Sequence, residues 1–190
     1  MESDRVKWNQ RYSVEQDSPA QAPAPFLVQE IERIAGLVPG KRALDIACGE
    51  GRNSIFLAQH GFSVTGIDIS NEGIALARRR ADQSGVVVDF LIHDLDSPFI
   101  EGSFDLIINF NFLLRTLIPE AFSLLVPGGV FVFETLLETP PFTDSHNPAF
   151  FLKQGELKQL FQPLYGQILL YEEYPHKQPA TARLLFRKGI

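Results

Sequence analysis

Three carboxylates recur among apolar runs. Asp45 lies inside "ALDIA" (43–47), Asp68 closes "FSVTGID" (62–68), and Asp94 follows "VVVDFLIH" (86–93). Gly49 and Gly51 stand between the first two, in "ACGEGRNS" (47–54). Glycines there can take a left-handed backbone and let a ligand approach the main chain. A helix starting just after them would offer unpaired N–H groups to the same space. Asp45 can accept hydrogen bonds from the loop amides or face a cationic ligand. Asp68, 17 residues after Gly51, suits the two hydroxyls of a ribose. Asp94 can accept a hydrogen bond from an adenine amino group. The plainer alternatives are a glycine turn without a ligand and strand-end acids that cap the next helix. Three acids at successive strand ends favour the ligand.

The phosphate content of that ligand is small. A dinucleotide fingerprint needs small residues at 47, 49 and 52, and position 52 is Arg. An NAD-dependent oxidoreductase is therefore disfavoured. No lysine follows the glycines in the P-loop pattern. An adenosine ligand is what remains.

The elements that must position these groups follow from patterning. Strands are expected at 42–47, 62–68, 86–92, 104–110 and 130–135. A helix is expected over 52–60 with Gly61 as its stop, and another over 71–83 with Ser70 as N-cap and Ser84-Gly85 as its end. Pro119 suits the first position of a short helix carrying Glu120 to Leu125, and "VPGG" (126–129) reads as a turn. Strands apolar at nearly every position and separated by helices predict an α/β fold with a parallel sheet covered on both faces. Towards the end, a helix over 153–161 precedes strands at 167–174 and 182–188, joined by a loop and so antiparallel. Residues 136–150 read as a long loop near the site, and 17–25 as an extended connector.

With 190 residues, 45% hydrophobic and 21% charged, the chain can build one core. A single domain over 1–190 is expected, with 1–25 forming a helix and connector over the site. A net charge of −6 argues against a nucleic-acid partner. Arg78, Arg79 and Arg80 read as the solvated end of a helix. Cys48 is the only cysteine, which excludes an intrachain disulfide and fits a reducing compartment. No apolar leader or membrane-length run is present. A cytoplasmic protein without membrane contact is the expectation, its oligomeric state left open.

Taken in order, "LDIACGEGRNS", "VTGIDIS", "HDLD", "FDLIINFN" and "LVPGGVFVFE" resemble the motifs of class I S-adenosylmethionine-dependent methyltransferases, over residues 42–135. Ala47 departs from the pattern, which often has Gly. The resemblance implies a Rossmann-like seven-stranded, mostly parallel sheet with a reversed last strand and helices on both faces. It implies S-adenosyl-L-methionine as cofactor, no metal, and methyl transfer to a small-molecule acceptor. On the same carry-over Asp68 and Ile69 hold the ribose side and Asp94 and Leu95 frame the adenine. Asp45, Ala47, Cys48, Gly49, Gly51 and Asn53 lie around the methionine part, and Asn109, Phe110 and Asn111 follow the fourth strand. "NFNFLLR" (109–115) lacks the [ND]-P-P-[YF] pattern of amino-group methylation. Phe112 and Leu113 are expected in the core.

"GRNSIFLAQHGFSVTGIDIS" is similar to small bacterial methyltransferases of the tellurite-resistance and thiopurine type. "WNQRY" resembles their entrance motif, which implies that Trp8, Arg11 and Tyr12 fold over the cofactor. "FFLKQGELKQLF" resembles a segment of the tellurite-resistance group. That carry-over points His176, Lys177 and Arg183 at the acceptor, His176 and Arg183 as catalytic residues, although Lys177 stands where Arg is expected. Phe142, Phe150 and Phe151 are candidates for an apolar acceptor pocket. A soft sulfur, selenium or tellurium nucleophile or an oxygen is the expected attacking atom. The alternative is a cofactor-binding module without turnover.

Overall fold

The computed structural model describes residues 2–15, 18–97, 99–139 and 147–190. Seven strands form one sheet: β1 (Arg42–Ile46), β2 (Ser63–Asp68), β3 (Asp89–Ile92), β4 (Phe104–Phe110), β5 (Leu125–Leu136), β6 (Gly166–Tyr174) and β7 (Thr181–Lys188). Their spatial order is β3-β2-β1-β4-β5-β7-β6. The pairs from β3 through β5 are parallel, and β7 runs antiparallel to both β5 and β6. The order reverses between β1 and β4. Such a switch point opens a crevice beyond the carboxyl ends of the two strands.

Every residue of β4 is buried, Asp105 and Asn109 included, as befits a central strand covered on both faces. One face carries α5 (Leu117–Leu124) and α6 (Glu156–Phe161). There Phe161 packs edge-on against Phe131 and Phe133, with centroids 5.2 and 5.9 Å away. The other face carries α2 (Pro25–Leu37) and α3 (Arg52–Gln59) over Leu106, Ile108, Val130 and Val132. Next to them α4 (Asn71–Gln83) joins α3 through Ile55, Ile74, Ala77 and Phe90. The first helix, α1 (Glu2–Val14), has no buried residue and lies against α4.

Several boundaries differ from the sequence reading. Helix α2 was not expected, yet its spacing buries Phe26, Leu27, Ile31 and Ile34 on one face. Strand β3 starts at Asp89, because residues 86–88 pack beside the sheet or stand exposed without pairing. "VPGG" lies within β5, not in a turn before it. Leu125 pairs with Phe104 and Val130 with Leu106, so residues 126–129 bulge out of the ladder, with Gly128 at φ +76°. Pro119 is the third residue of α5, where its missing N–H still costs no helical bond. Helix α6 begins at Glu156, after Gly155 at φ +78°. Arg80 is not solvated: it is 6% exposed and ion-paired with Glu50 of the glycine turn. Arg78 donates to the Phe90 carbonyl at 2.6 Å.

Candidate active site

Beyond β1 the backbone turns left-handed at alternate residues: Ala47 (φ 55°), Gly49 (54°) and Gly51 (80°). The two glycines are needed for different reasons. A Cβ on Gly49 would collide with the Tyr12 hydroxyl, whereas one on Gly51 would stand 2.8 Å from Phe90 and 2.9 Å from Ala77. Gly49 lets a side chain of α1 reach the turn, and Gly51 lets α3 pack against α4 and β3. Ala47 and, after β4, Asn111 (φ 56°) are the non-glycine left-handed residues among those described. Both line the cavity described below, so backbone strain gathers at its wall.

Asp68 organises this end. Its Oδ2 accepts from the Gly49 amide and its Oδ1 from the Ser70 amide, each at 2.8 Å. Burial raises its pKa, against the opposing amides of Ser70, Gly49 and Ile69. Ser70 also caps α4, its Oγ accepting from Gly73 at 3.0 Å. Asp45 has a different place. Its carboxylate lies behind the turn, fully buried, and accepts from Ser54 Oγ at 2.6 Å. Burial pushes it up to about 7.

A cavity of about 390 Å³ opens over the switch point, within the range of small-molecule sites. Asp68, Ile69 and Leu95 line one end; Phe110, Asn111, Phe112 and Leu136 line the other. Ala47, Cys48, Gly49, Glu50, Arg52 and Asn53 lie between, and Trp8, Arg11, Tyr12 and Gln21 complete the wall. Trp8 and Tyr12 stack at 5.9 Å, with the Arg11 guanidinium 5.2 Å from the Trp8 ring. Burial and the nearby Asp68 raise the Tyr12 pKa, and burial raises that of the Cys48 thiol. Asn9 Oδ1 accepts from Ser70 Oγ at 2.8 Å, which moors α1 to the start of α4. The connector is strapped down as well. Gln21 N donates to Glu50 Oε1 (3.1 Å), Ala24 N to Asn53 Oδ1 (2.8 Å), and Arg80 Nη2 to the Ser18 carbonyl (3.0 Å).

Not every sequence candidate reaches this wall. Asp45 and Gly51 lie behind it. Asn109 is buried and donates from Nδ2 to the Phe112 carbonyl at 2.7 Å, shaping the exit of β4. Asp94 stands beside the cavity and accepts from the Asp96 amide at 3.1 Å. Phe112 is on the wall, whereas Leu113 belongs to the core. His176 is exposed in the turn between β6 and β7. Lys177 Nζ sits 3.9 Å from the centroid of the Tyr174 ring. Arg183 donates to Glu172 (2.7 Å) and Tyr174 (2.6 Å) and stacks over Phe26. None of these three is on the cavity wall. Phe150 is 44% exposed and Phe151 is buried, neither lining the cavity; Phe142 lies outside the described residues. Arg115 gathers the segment beyond β5, pairing with Glu156 at 2.6 Å and donating to the carbonyls of Ala149 (2.8 Å) and Phe151 (2.9 Å). Sequence reasoning missed Glu50, Gln21, Leu136 and Arg52, the last read only as an obstacle to a dinucleotide fingerprint. Only Glu50 carried a signal, as an acid between two glycines.

A switch-point cavity floored by a glycine turn, with a carboxylate closing the second strand and a reversed last strand, defines a nucleoside-binding Rossmann-like fold of the methyltransferase kind. The methyltransferase-domain family matches residues 43–129. The ubiquinone biosynthesis O-methyltransferase of Bordetella avium is 32% identical over 129 residues, covering 64% of this chain and 54% of that protein. The chain thus spans about half the length of the curated relatives it matches. Magnesium protoporphyrin IX methyltransferase from Synechocystis, solved with bound SAH, superposes with a TM-score of 0.74 at 18% identity, over 97% of this chain and 98% of that one. TehB from Haemophilus influenzae superposes with a TM-score of 0.73 at 22% identity, over 92% and 65%. At such identities the two structures share the fold with this chain. Residues 43–129 thus match a methyltransferase domain, set in a sheet whose fold is that of the solved methyltransferases. Among the described residues no helix is long and apolar enough to cross a membrane.

Proposed function

We propose that this protein transfers the methyl group of S-adenosylmethionine to a hydroxyl of a small-molecule acceptor. The observation that carries the reading is the polarity of the cavity. One end offers a buried carboxylate beside two apolar residues, Ile69 and Leu95, and the other end is mostly apolar, with Asn111 as its polar group. This fits a nucleoside at the first end and an organic acceptor at the second. When bound, S-adenosylmethionine supplies an electrophilic methyl on a sulfonium. Asp68 takes the ribose hydroxyls. Ile69 and Leu95 sandwich the base, with Asp94 at its edge. The turn at 47–49, Cys48, Tyr12 and Trp8 surround the methionine part, with Asn53 and Arg52 beside it. Phe110, Asn111, Phe112 and Leu136 receive the acceptor. The chain's own contribution is orientation and exclusion of water, and positioning alone can lower a barrier by roughly 7–11 kcal/mol.

Oxygen is favoured over softer atoms on two grounds. The curated relatives are named as O-methyltransferases. The residues that the tellurite-type resemblance assigns to the acceptor are otherwise placed: His176 is exposed in the β6–β7 turn, and Arg183 is held by Glu172 and Tyr174. Calorimetric titration with S-adenosylmethionine tests the reading, followed by assay of S-adenosylhomocysteine release over a panel of phenols and thiols. Asp68→Ala is expected to weaken cofactor binding about a hundredfold, from the loss of charge-assisted hydrogen bonds. No binding heat at millimolar cofactor would overturn the proposal. Binding without release on any acceptor would leave the module without turnover.

A further inference from the structure

We propose that Glu134 is the residue that takes the acceptor's proton, and that the acceptor group is a phenolic hydroxyl. The inference rests on the methyl-transfer reading above and names a catalytic residue for it.

Glu134 lies near the end of β5, just before the buried Thr135 and next to the cavity wall without being part of it. In the parallel ladder it is paired with Phe110, a residue of the cavity wall, so the two side chains project from the same face of the sheet. Its carbonyl accepts from the amide of Asn111, another wall residue, at 2.9 Å, which fixes the height of β5 against the exit of β4. The carboxylate is half-buried, yet it makes no hydrogen bond or ion pair among the described residues. Its cross-strand neighbour Arg183 is not its counter-ion, because that guanidinium is already held by Glu172 and Tyr174. Arg52, on the cavity wall, is turned to the Ala22 carbonyl at 3.1 Å. Half-burying a carboxylate without a partner is costly, and such groups gather at sites where they act. Burial raises the Glu134 pKa, opposed by the attraction of Arg183, Arg52 and Lys177. That displacement brings a carboxylate closer to the range in which a general base works.

The surroundings decide the acceptor class. Phe110, Phe112 and Leu136, with Asn111 the polar residue among them, make this end of the cavity mostly apolar, suited to a ring that carries a hydroxyl. A thiolate or selenide needs no base and would be repelled by an unpaired carboxylate. A phenol needs its proton removed as the new bond forms. In the step, the hydroxyl proton passes to a Glu134 carboxylate oxygen while an oxygen lone pair forms the O–CH₃ bond. The methyl–sulfur bond breaks, its electron pair stays on sulfur, and neutral S-adenosylhomocysteine leaves with the methyl ether.

The experiment compares wild type with Glu134→Gln in methyl transfer from S-adenosylmethionine to catechol and to thiophenol. The variant is expected to bind S-adenosylmethionine as wild type does, to keep transfer to thiophenol, and to lose roughly 100- to 10,000-fold in kcat on catechol. Equal rates on catechol would overturn the proposal, as would a wild type that methylates thiophenol alone. If wild type methylates neither probe, the methyl-transfer reading fails, and Glu134 is judged by binding. Catechol titrated onto protein loaded with S-adenosylhomocysteine should then bind about tenfold more weakly to Glu134→Gln, and equal or absent binding overturns the assignment.

Discussion

The two halves of the sheet hold their sites by different means. Around β1, β2 and β3, the turn itself is held by backbone amides and short side chains: Asp68 on the amides of Gly49 and Ser70, and Ser54 on Asp45, with Arg80 bracing Glu50 from behind. Around β5, β7 and β6, long side chains reach across the fold. Arg115 grips Glu156, 41 residues away, and the carbonyls before it, while Arg183 is locked by Glu172 and Tyr174. Short polar geometry suits a ligand that does not vary. On the proposed function, long-armed geometry leaves the acceptor end open to change without disturbing the cofactor end.

The sharpest way to break this comparison is to damage one half and read the other. Phe161 is fully buried where α6 meets β5, and Phe161→Ala should cost about 3–5 kcal/mol of stability. Chemical denaturation measures the loss. Cofactor affinity, by calorimetry, should stay unchanged; a parallel fall would show that the halves are not separable.

Titration sharpens it next. Asp45 rises from 3.8 to about 7 through burial. Between those values the folded chain keeps a proton that the unfolded chain gives up. Stability therefore falls as pH rises through that window, by on the order of 4 kcal/mol, and levels off above it. Glu156 goes the other way, lowered by its hydrogen bond from Arg115, and its contribution is lost as pH falls. Urea unfolding of wild type and Asp45→Asn, across pH values from about 5 to 8, should show a difference that changes through the window. A constant difference would mean that Asp45 stays ionised in the fold.

The smallest effect expected is local. Gly49→Ala puts a Cβ at φ 54° and displaces Tyr12. The left-handed position costs about 1–2 kcal/mol. Hydrogen exchange should show α1 losing protection while β1 and β2 keep theirs. Unchanged α1 protection would mean that Tyr12 does not seat the helix.

The same contrast explains what could be read in the sequence. The turn at 47–53, the acid at 68 and the cap at Ser70 are local patterns, and each stands where its spacing implies. The parallel core strands and the antiparallel end pair were legible from their apolar runs. Helix α2 was not, because Ala24 gives it no side-chain cap and the prolines before it read as connector. The glycines of "VPGG" signal a turn, and nothing local says that the chain stays paired through a bulge. Three consecutive arginines look alike, yet a helix separates them by about 100° each, and only a partner distant in sequence, Glu50, picks out Arg80. His176 and Arg183 came from resemblance alone, and the turn and strand that carry them lie off the cavity wall.

Helix α1 supplies Trp8, Arg11 and Tyr12 to the cavity but buries nothing of its own. It is moored by Tyr12, packed over Gly49 and Gly73, and by Asn9 accepting from Ser70 and the Glu72 amide. The chamber can therefore be unroofed without loosening a single core side chain, so passage in and out is decoupled energetically from the durability of the body beneath.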